Sequence, residues 1–244
     1  MPDTHLPQIS DGALGRLVES HVPRLGRGGP WHARLVQTIG LGQAITRARG
    51  LAARDRRIVL GIAGAPGAGK STLAAAVADA VGPAAVDVPM DGFHLAQAEL
   101  ERLGRADRKG APDTFDADGF VALLRRLREQ RAGDPAVYAP AFDRTLEEPV
   151  AGAIPVAADV PLVIVEGNYL LVPDGAWAGV RPLLDECWFV EVDDALRLDR
   201  LTARHAAHGK EPAAAHAWAR GPDERNARLV AATRGRADAV VRLV

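Results

Sequence analysis

The chain has 244 residues, 48% of them apolar, a formal net charge of −1 and a single cysteine, Cys187. That length suits one generous domain with an appendage, and the apolar share is enough for a buried core. The near-cancelling charge gives no footprint for nucleic acid or an anionic membrane, no apolar run approaches the ~20 residues of a membrane span, and one cysteine excludes an internal disulfide.

The opening MPDTHLPQIS has neither a basic n-region nor an apolar h-region, so no secretory signal is expected and the cytoplasm is the default location. Residues 1–56 carry no strand signal; ALGRLVESHV and ARLVQTIGLGQAITRARGLAARD read as helical pieces of an N-terminal extension. Such an extension leaves a homodimer open. From residue 57 the pattern changes. IVLGIAG (58–64) is an apolar run ending in glycine, as a buried parallel strand would be, and STLAAAVADAVG (71–82) reads as a helix. AAVDVPM (84–90) is a second strand. FDADGFVALLRRLREQRAG (115–133) is an amphipathic helix whose stripe is Phe120, Leu123, Leu124 and Leu127, with Asp116 as its cap. VPLVIVEG (160–167), ECWFVEV (186–192) and AVVRLV (239–244) complete five strands, with DDALRLDRLTARHAAHG and DERNARLVAATRGRA as helices before the last. Continuous apolar strands alternating with helices predict an α/β domain over 57–244 around a parallel sheet, with ligands at the carboxyl ends of the strands.

GAPGAGKS (64–71) matches G-x-x-x-x-G-K-[ST], between a strand and a helix as that phosphate loop requires. Gly64, Gly67 and Gly69 allow the turn, Ala65, Pro66 and Ala68 complete it, and backbone N–H groups point inward at phosphate oxygens beside the positive end of the helix. Lys70 would reach the β- and γ-phosphates, Ser71 would ligate Mg2+, and Thr72 follows in the first helical turn. Neither the N-K-x-D of GTPases nor the L-S-G-G-Q of transporter ATPases is present, which leaves kinases of small molecules as the large remaining class.

Around that loop stand other candidates. Glu166 ends an apolar strand, as a metal-side carboxylate does, or simply caps it. Asp91 ends the neighbouring strand, where a group that takes the acceptor's proton would stand, or caps the next turn. His94 follows it and reads as a substrate contact or a loop hydrogen bond. Arg200 and Arg204 are four apart on one helix face, as a closing lid over about 198–212 needs, or as a solvated basic face would be. RKGAPDTFDADG (108–119) and YAPAFDRTLEEP (138–149) read as pocket-shaping loops; Lys109, Phe142 and Arg144 are their acceptor candidates, although Asp143 and Arg144 could form a local salt bridge. Of the 30 basic residues 27 are arginine, and the three lysines, Lys70, Lys109 and Lys210, all fall in these segments.

In this order and spacing, GAPGAGKS, MDGFH, APDTFD, YAPAFDR, EGNYLL and RLTARHAAHGK resemble the uridine kinase, pantothenate kinase and phosphoribulokinase group over residues 57–243. Within it they are most similar to bacterial fructokinase-like or nucleoside/nucleotide kinase-like sequences. The resemblance implies a P-loop kinase core with a parallel five-stranded sheet, and ATP and Mg2+ as cofactors. It makes Asp91 the catalytic aspartate, Glu166 the acid near Mg2+, and Arg200 and Arg204 lid arginines. Asn226 becomes a nucleotide contact, and Tyr169 of EGNYLL joins the acceptor side. The chain departs where uridine kinases show a histidine and it has Arg144, so acceptor identity does not carry over. A sugar is expected first, then a nucleoside or pantothenate. A regulatory ATPase is the reading of another class, and a nucleic-acid-processing enzyme is disfavoured by the charge balance.

Overall fold

The computed structural model describes residues 36–207 and 209–243. Its elements in chain order are β1 (Gln37–Gly40), α1 (Leu41–Ala52), β2 (Ile58–Gly64), α2 (Lys70–Val81), β3 (Ala85–Pro89), α3 (Gln97–Arg102) and α4 (Ala117–Glu129). There follow β4 (Val137–Asp143), β5 (Glu148–Val156), β6 (Leu162–Gly167), β7 (Glu186–Glu191), α5 (Asp194–Ala207), α6 (Pro212–Arg220), α7 (Pro222–Ala231) and β8 (Ala239–Arg242). Among the described residues, six strands form one sheet in the order β1-β8-β7-β2-β6-β3, every pair parallel, and β4 and β5 form a separate antiparallel hairpin.

Alternation along the central strands fills both faces. Ile58, Leu60 and Ile62 of β2 pack with Ala44, Ala48 and Leu51 of α1 and with Leu73 and Val77 of α2. Val59 and Ala63 face the other way, onto Phe120, Leu124 and Leu127 of α4 and Val230 of α7. The stripe expected on α4 is buried throughout, and Asp116 Oδ1 accepts the N–H of Gly119 at 2.8 Å as the cap.

Two expectations change. The sheet has six strands rather than five, because β1 lies inside the stretch read as helical and pairs with β8 along its edge. Its four residues, QTIG, bury only Ile39, so no alternation marks them. The sheet therefore begins at Gln37, upstream of the boundary at 56/57, and α1 belongs to the same core; residues 1–35 of the expected extension lie outside the described residues. Residues 138–149 are no loop but most of the β4–β5 hairpin, whose shift in register between Ala139 and Ala141 obscures a period of two.

That hairpin presses on the turn Met90–Phe93 at the tip of β3. A Cβ at Gly92 would lie 2.3 Å from the Pro140 carbonyl oxygen, closer than any relaxation of side chains can relieve. Gly92→Ala should therefore cost roughly 1–3 kcal/mol or more of stability through overpacking. Gly50, in α1 with nothing within 4 Å of a Cβ, is the control: Gly50→Ala should add about 0.5–1 kcal/mol. Urea denaturation of both variants checks the opposite signs.

Candidate active site

The phosphate loop runs between two clefts at the carboxyl edge of the sheet. Gly67 and Gly69 take the left-handed backbone at φ +79° and +93°, where other residues are strained. The loop packs under α5: a Cβ at Gly67 would lie 2.8 Å from Leu201 Cγ and 2.9 Å from the Arg197 carbonyl oxygen. At Gly64 it would crowd the Val190 carbonyl oxygen at 3.0 Å. Gly69 precedes α2, and Ser71 and Thr72 are exposed in the first turn of that helix. Ala65 and Ala68 line a second cleft of ≈ 620 Å³, while Pro66, Lys70 and Ser71 line the first, of ≈ 670 Å³.

The first cleft gathers most of the sequence candidates. Lys70 Nζ donates to Asn168 Oδ1 at 2.7 Å and to the Ala65 carbonyl at 3.2 Å. Burial lowers the pKa of this ammonium, and the charges of Glu166 and Asp91 oppose that shift. Ser71 Oγ donates to Glu166 Oε1 at 3.0 Å. Glu166 is only 6% exposed; burial raises its carboxyl pKa, against the pull of the Lys70 charge. Asp91 accepts from Arg144 Nη2 at 3.0 Å through Oδ2. His94 Nδ1 lies 2.8 Å from the Asp91 carbonyl oxygen, and its ring lies against Phe115 and Phe142. Lys109 Nζ donates to the Glu147 carbonyl at 2.8 Å and lies over the Phe142 ring. Arg204 reaches the same cleft from α5, with His205, whose Nε2 is 2.7 Å from Asp223 Oδ2. Five cations, Lys70, Lys109, Arg144, Arg204 and Lys210, thus share the cleft with five carboxylates, Asp91, Glu147, Glu148, Glu166 and Asp223.

One candidate is placed away from the cleft, and three others are placed more closely than the sequence allowed. Tyr169 is fully buried among Phe115 and Trp177, and its hydroxyl donates to the Gly110 carbonyl, so it is a core residue and makes no wall for an acceptor. Its neighbour Asn168 lines the cleft instead; a polar residue directly after EG was the available signal. Asn226 faces the first cleft and donates to the Gly110 carbonyl at 3.2 Å. A position one residue further along α7, Ala227, turns toward the second cleft, with Arg228 and Ala231. Arg144, offered as an acceptor contact or as part of a local salt bridge with Asp143, lines the cleft and pairs instead with Asp91, while Asp143 Oδ1 accepts the N–H groups of Thr145 and Leu146. Arg200 is exposed and stands beside the loop, its Nη1 3.8 Å from a Cβ placed on Gly69.

The Ser71–Glu166 pair fits a magnesium ion shared with phosphates. Mg2+ binds through one or two protein oxygens, keeping waters and substrate oxygens for the rest. Among the described residues no cluster of three or more His, Cys, Asp or Glu side chains could form a separate cage. A buried carboxylate whose charge is disfavoured is also the group that gains most from a cation.

A profile of the Phosphoribulokinase / Uridine kinase family matches residues 59–241. A protein of Schizosaccharomyces pombe, provisionally described as a uridine kinase, is 37% identical over 172 residues, 67% of this chain and 72% of that protein. A pantothenate kinase of Clavibacter sepedonicus is 34% identical over 57% of this chain and 45% of its own length. Among solved structures, a provisionally described fructose transport system kinase from Silicibacter sp. TM1040 superposes with a TM-score of 0.72 at 37% identity. It covers 82% of this chain and 98% of that one.

One ionisable group near the site was not anticipated. Asp87 on β3 has its carboxyl raised to about 7, first by burial and then by the charge of Glu166, and its Oδ1 has no hydrogen-bond partner among the described residues. The unfolded chain, at an ordinary value near 3.8, releases this proton before the folded one does, so stability falls as pH climbs from about 4 through about 7. Asp87→Asn should remove that slope. Its Tm relative to the parent protein should rise between pH 5 and pH 8, as differential scanning calorimetry would record.

Proposed function

We propose that this chain, a small-molecule kinase that belongs to the phosphoribulokinase / uridine kinase family, moves the γ-phosphoryl group of ATP to a hydroxyl of a sugar. The observation that carries the reading is the meeting of Lys70, Glu166 and Asp91 in one cleft beside the phosphate loop. The triphosphate runs along 64–72, with the base toward the second cleft and the γ-phosphate toward Lys70. Ser71 and Glu166 would hold Mg2+, which supplies charge neutralisation on the phosphate oxygens when bound. Asp91 orients the acceptor hydroxyl and takes its proton as the new O–P bond forms and the bond to the β-phosphate oxygen breaks; ADP leaves. Arg144 holds Oδ2 of that carboxylate, which leaves Oδ1 for the acceptor. Lys70 and Arg204 stabilise charge on the transferring group, and α5 excludes water over the loop.

A sugar is favoured by the name of the Silicibacter kinase, which shares 37% identity over nearly its whole length. Uridine and pantothenate stand behind it on the names of the other relatives. The reading places the enzyme in the cytoplasm, acting on a small molecule without a nucleic-acid or membrane partner. Among the described residues no helix is long and apolar enough to cross a membrane.

ADP release from Mg-ATP against fructose, uridine, cytidine, pantothenate and ribulose 5-phosphate tests the reading. One class should stimulate strongly. Asp91→Asn should then lower kcat by about two orders of magnitude or more, the loss expected of a general base, with Mg-ATP binding retained. Slow hydrolysis indifferent to every acceptor, and to Asp91→Asn, would favour the regulatory ATPase instead.

A further inference from the structure

Lys70 has neutral partners in a cleft rich in charge. An ammonium carries three N–H donors. Lys70 Nζ spends two of them on Asn168 Oδ1 at 2.7 Å and on the Ala65 carbonyl at 3.2 Å. Glu166 and Asp91 are near enough for their charges to act on it. Yet among the described residues Lys70 is in no ion pair. Glu166 Oε1 accepts from Ser71 instead.

The Asn168 amide has its orientation set from the core. Tyr169 is buried against Phe115 and Trp177, and its hydroxyl donates to the Gly110 carbonyl. That proton is spent, so the Tyr169 oxygen can only accept. The hydrogen bond it shares with the Asn168 side chain therefore comes from Nδ2. Oδ1 is left for Lys70. Gly167, one residue before, has no room for a side chain, since a Cβ there would lie 2.5 Å from Met90 Cβ. The chain thus leaves β6 pressed against the turn that carries Asp91, and the amide stands in the cleft wall.

We propose that Asn168 is a positioning residue for the phosphoryl transfer: its amide oxygen holds the Lys70 ammonium apart from Glu166 and Asp91 until the γ-phosphate of ATP takes it. The proposal rests on the kinase reading above, in which ATP lies on the loop. A neutral acceptor suits this task. A carboxylate at position 168 would bind the ammonium more strongly and, once displaced, would face the phosphate as a like charge. An apolar side chain there would leave the ammonium to Glu166, and that ion pair would have to break before a phosphate could bind.

Isothermal titration calorimetry of the full chain with ATP and with ADP, both without Mg2+, tests this in two variants, with thermal unfolding to check that each is folded. Asn168→Asp and Asn168→Leu should each raise the Kd for ATP by about tenfold or more, the worth of one hydrogen bond to a charged group. The Kd for ADP, which lacks the γ-phosphate, should rise by less, so the preference for ATP over ADP shrinks in both. Asn168→Asp keeps the shape of the side chain, so it gives the answer even where Asn168→Leu does not fold. Variants that keep the parent affinities, or that lose affinity for ATP and ADP in equal proportion, overturn the proposal and leave the kinase reading standing. Parent protein that binds neither nucleotide overturns both.

Discussion

The arrangement depends on one costly element, a carboxylate buried at the end of a wholly apolar strand. Glu166 pairs in register with Ile62 on one side and Pro89 on the other, so it sits in the middle of the sheet edge. Desolvating an ionised carboxylate in such a place is expensive without compensating charge and hydrogen bonds. Ser71 supplies one hydrogen bond and Lys70 a nearby cation. Both come from the first turn of α2, so the start of that helix and the tip of β6 are fixed relative to each other by electrostatics as well as by packing. A cation bound with phosphates would complete the compensation that the protein alone supplies only in part.

The rest of the edge is built to keep that cluster accessible from one side. Gly167 gives way to Met90, whose Cβ would lie 2.5 Å from a Cβ at that position. Gly92 gives way to the hairpin. These two close approaches bring Asp91 beside the buried acid while leaving its carboxylate toward the cleft. Arg144 then gives Asp91 the kind of partner that Lys70 gives Glu166, a cation from another element placed beside a carboxylate. On the far side α5 lies over the loop, tied to α7 by Arg197, which pairs with both Asp194 and Glu224. This helix is thus anchored through a buried arginine, and Arg204 and His205 on it reach the cleft.

What the sequence disclosed depended on how local each signal was. The phosphate loop is contiguous, and its glycines, Lys70 and Ser71 need only the strand before and the helix after to be interpretable. Asp91 and Glu166 were legible because strand ends are easy to place in continuous apolar runs. The strand at Gln37–Gly40 was not, because it owes its existence to β8, two hundred residues away, and buries one side chain. Tyr169 and Asn168 could not be told apart by type, since the choice of which one faces the cleft is made by how the chain leaves β6. Nor could the sequence show that Asn226 lines the first cleft and its neighbour Ala227 the second, since one residue along a helix is about 100° of rotation. The pairing of Arg144 with Asp91 joins residues 53 apart through a hairpin that read as a loop.

The central claim is that Glu166 and Ser71 form the protein's share of a magnesium site used with ATP. It is tested most directly by isothermal titration calorimetry of ATP with and without Mg2+, in the parent protein and in Glu166→Gln. Mg2+ should strengthen ATP binding to the parent protein by about tenfold or more, and Glu166→Gln should lose most of that gain while still binding ATP on the loop. Equal enhancement by Mg2+ in both proteins would contradict it, and would make Glu166 a strand-end group with no part in holding the metal.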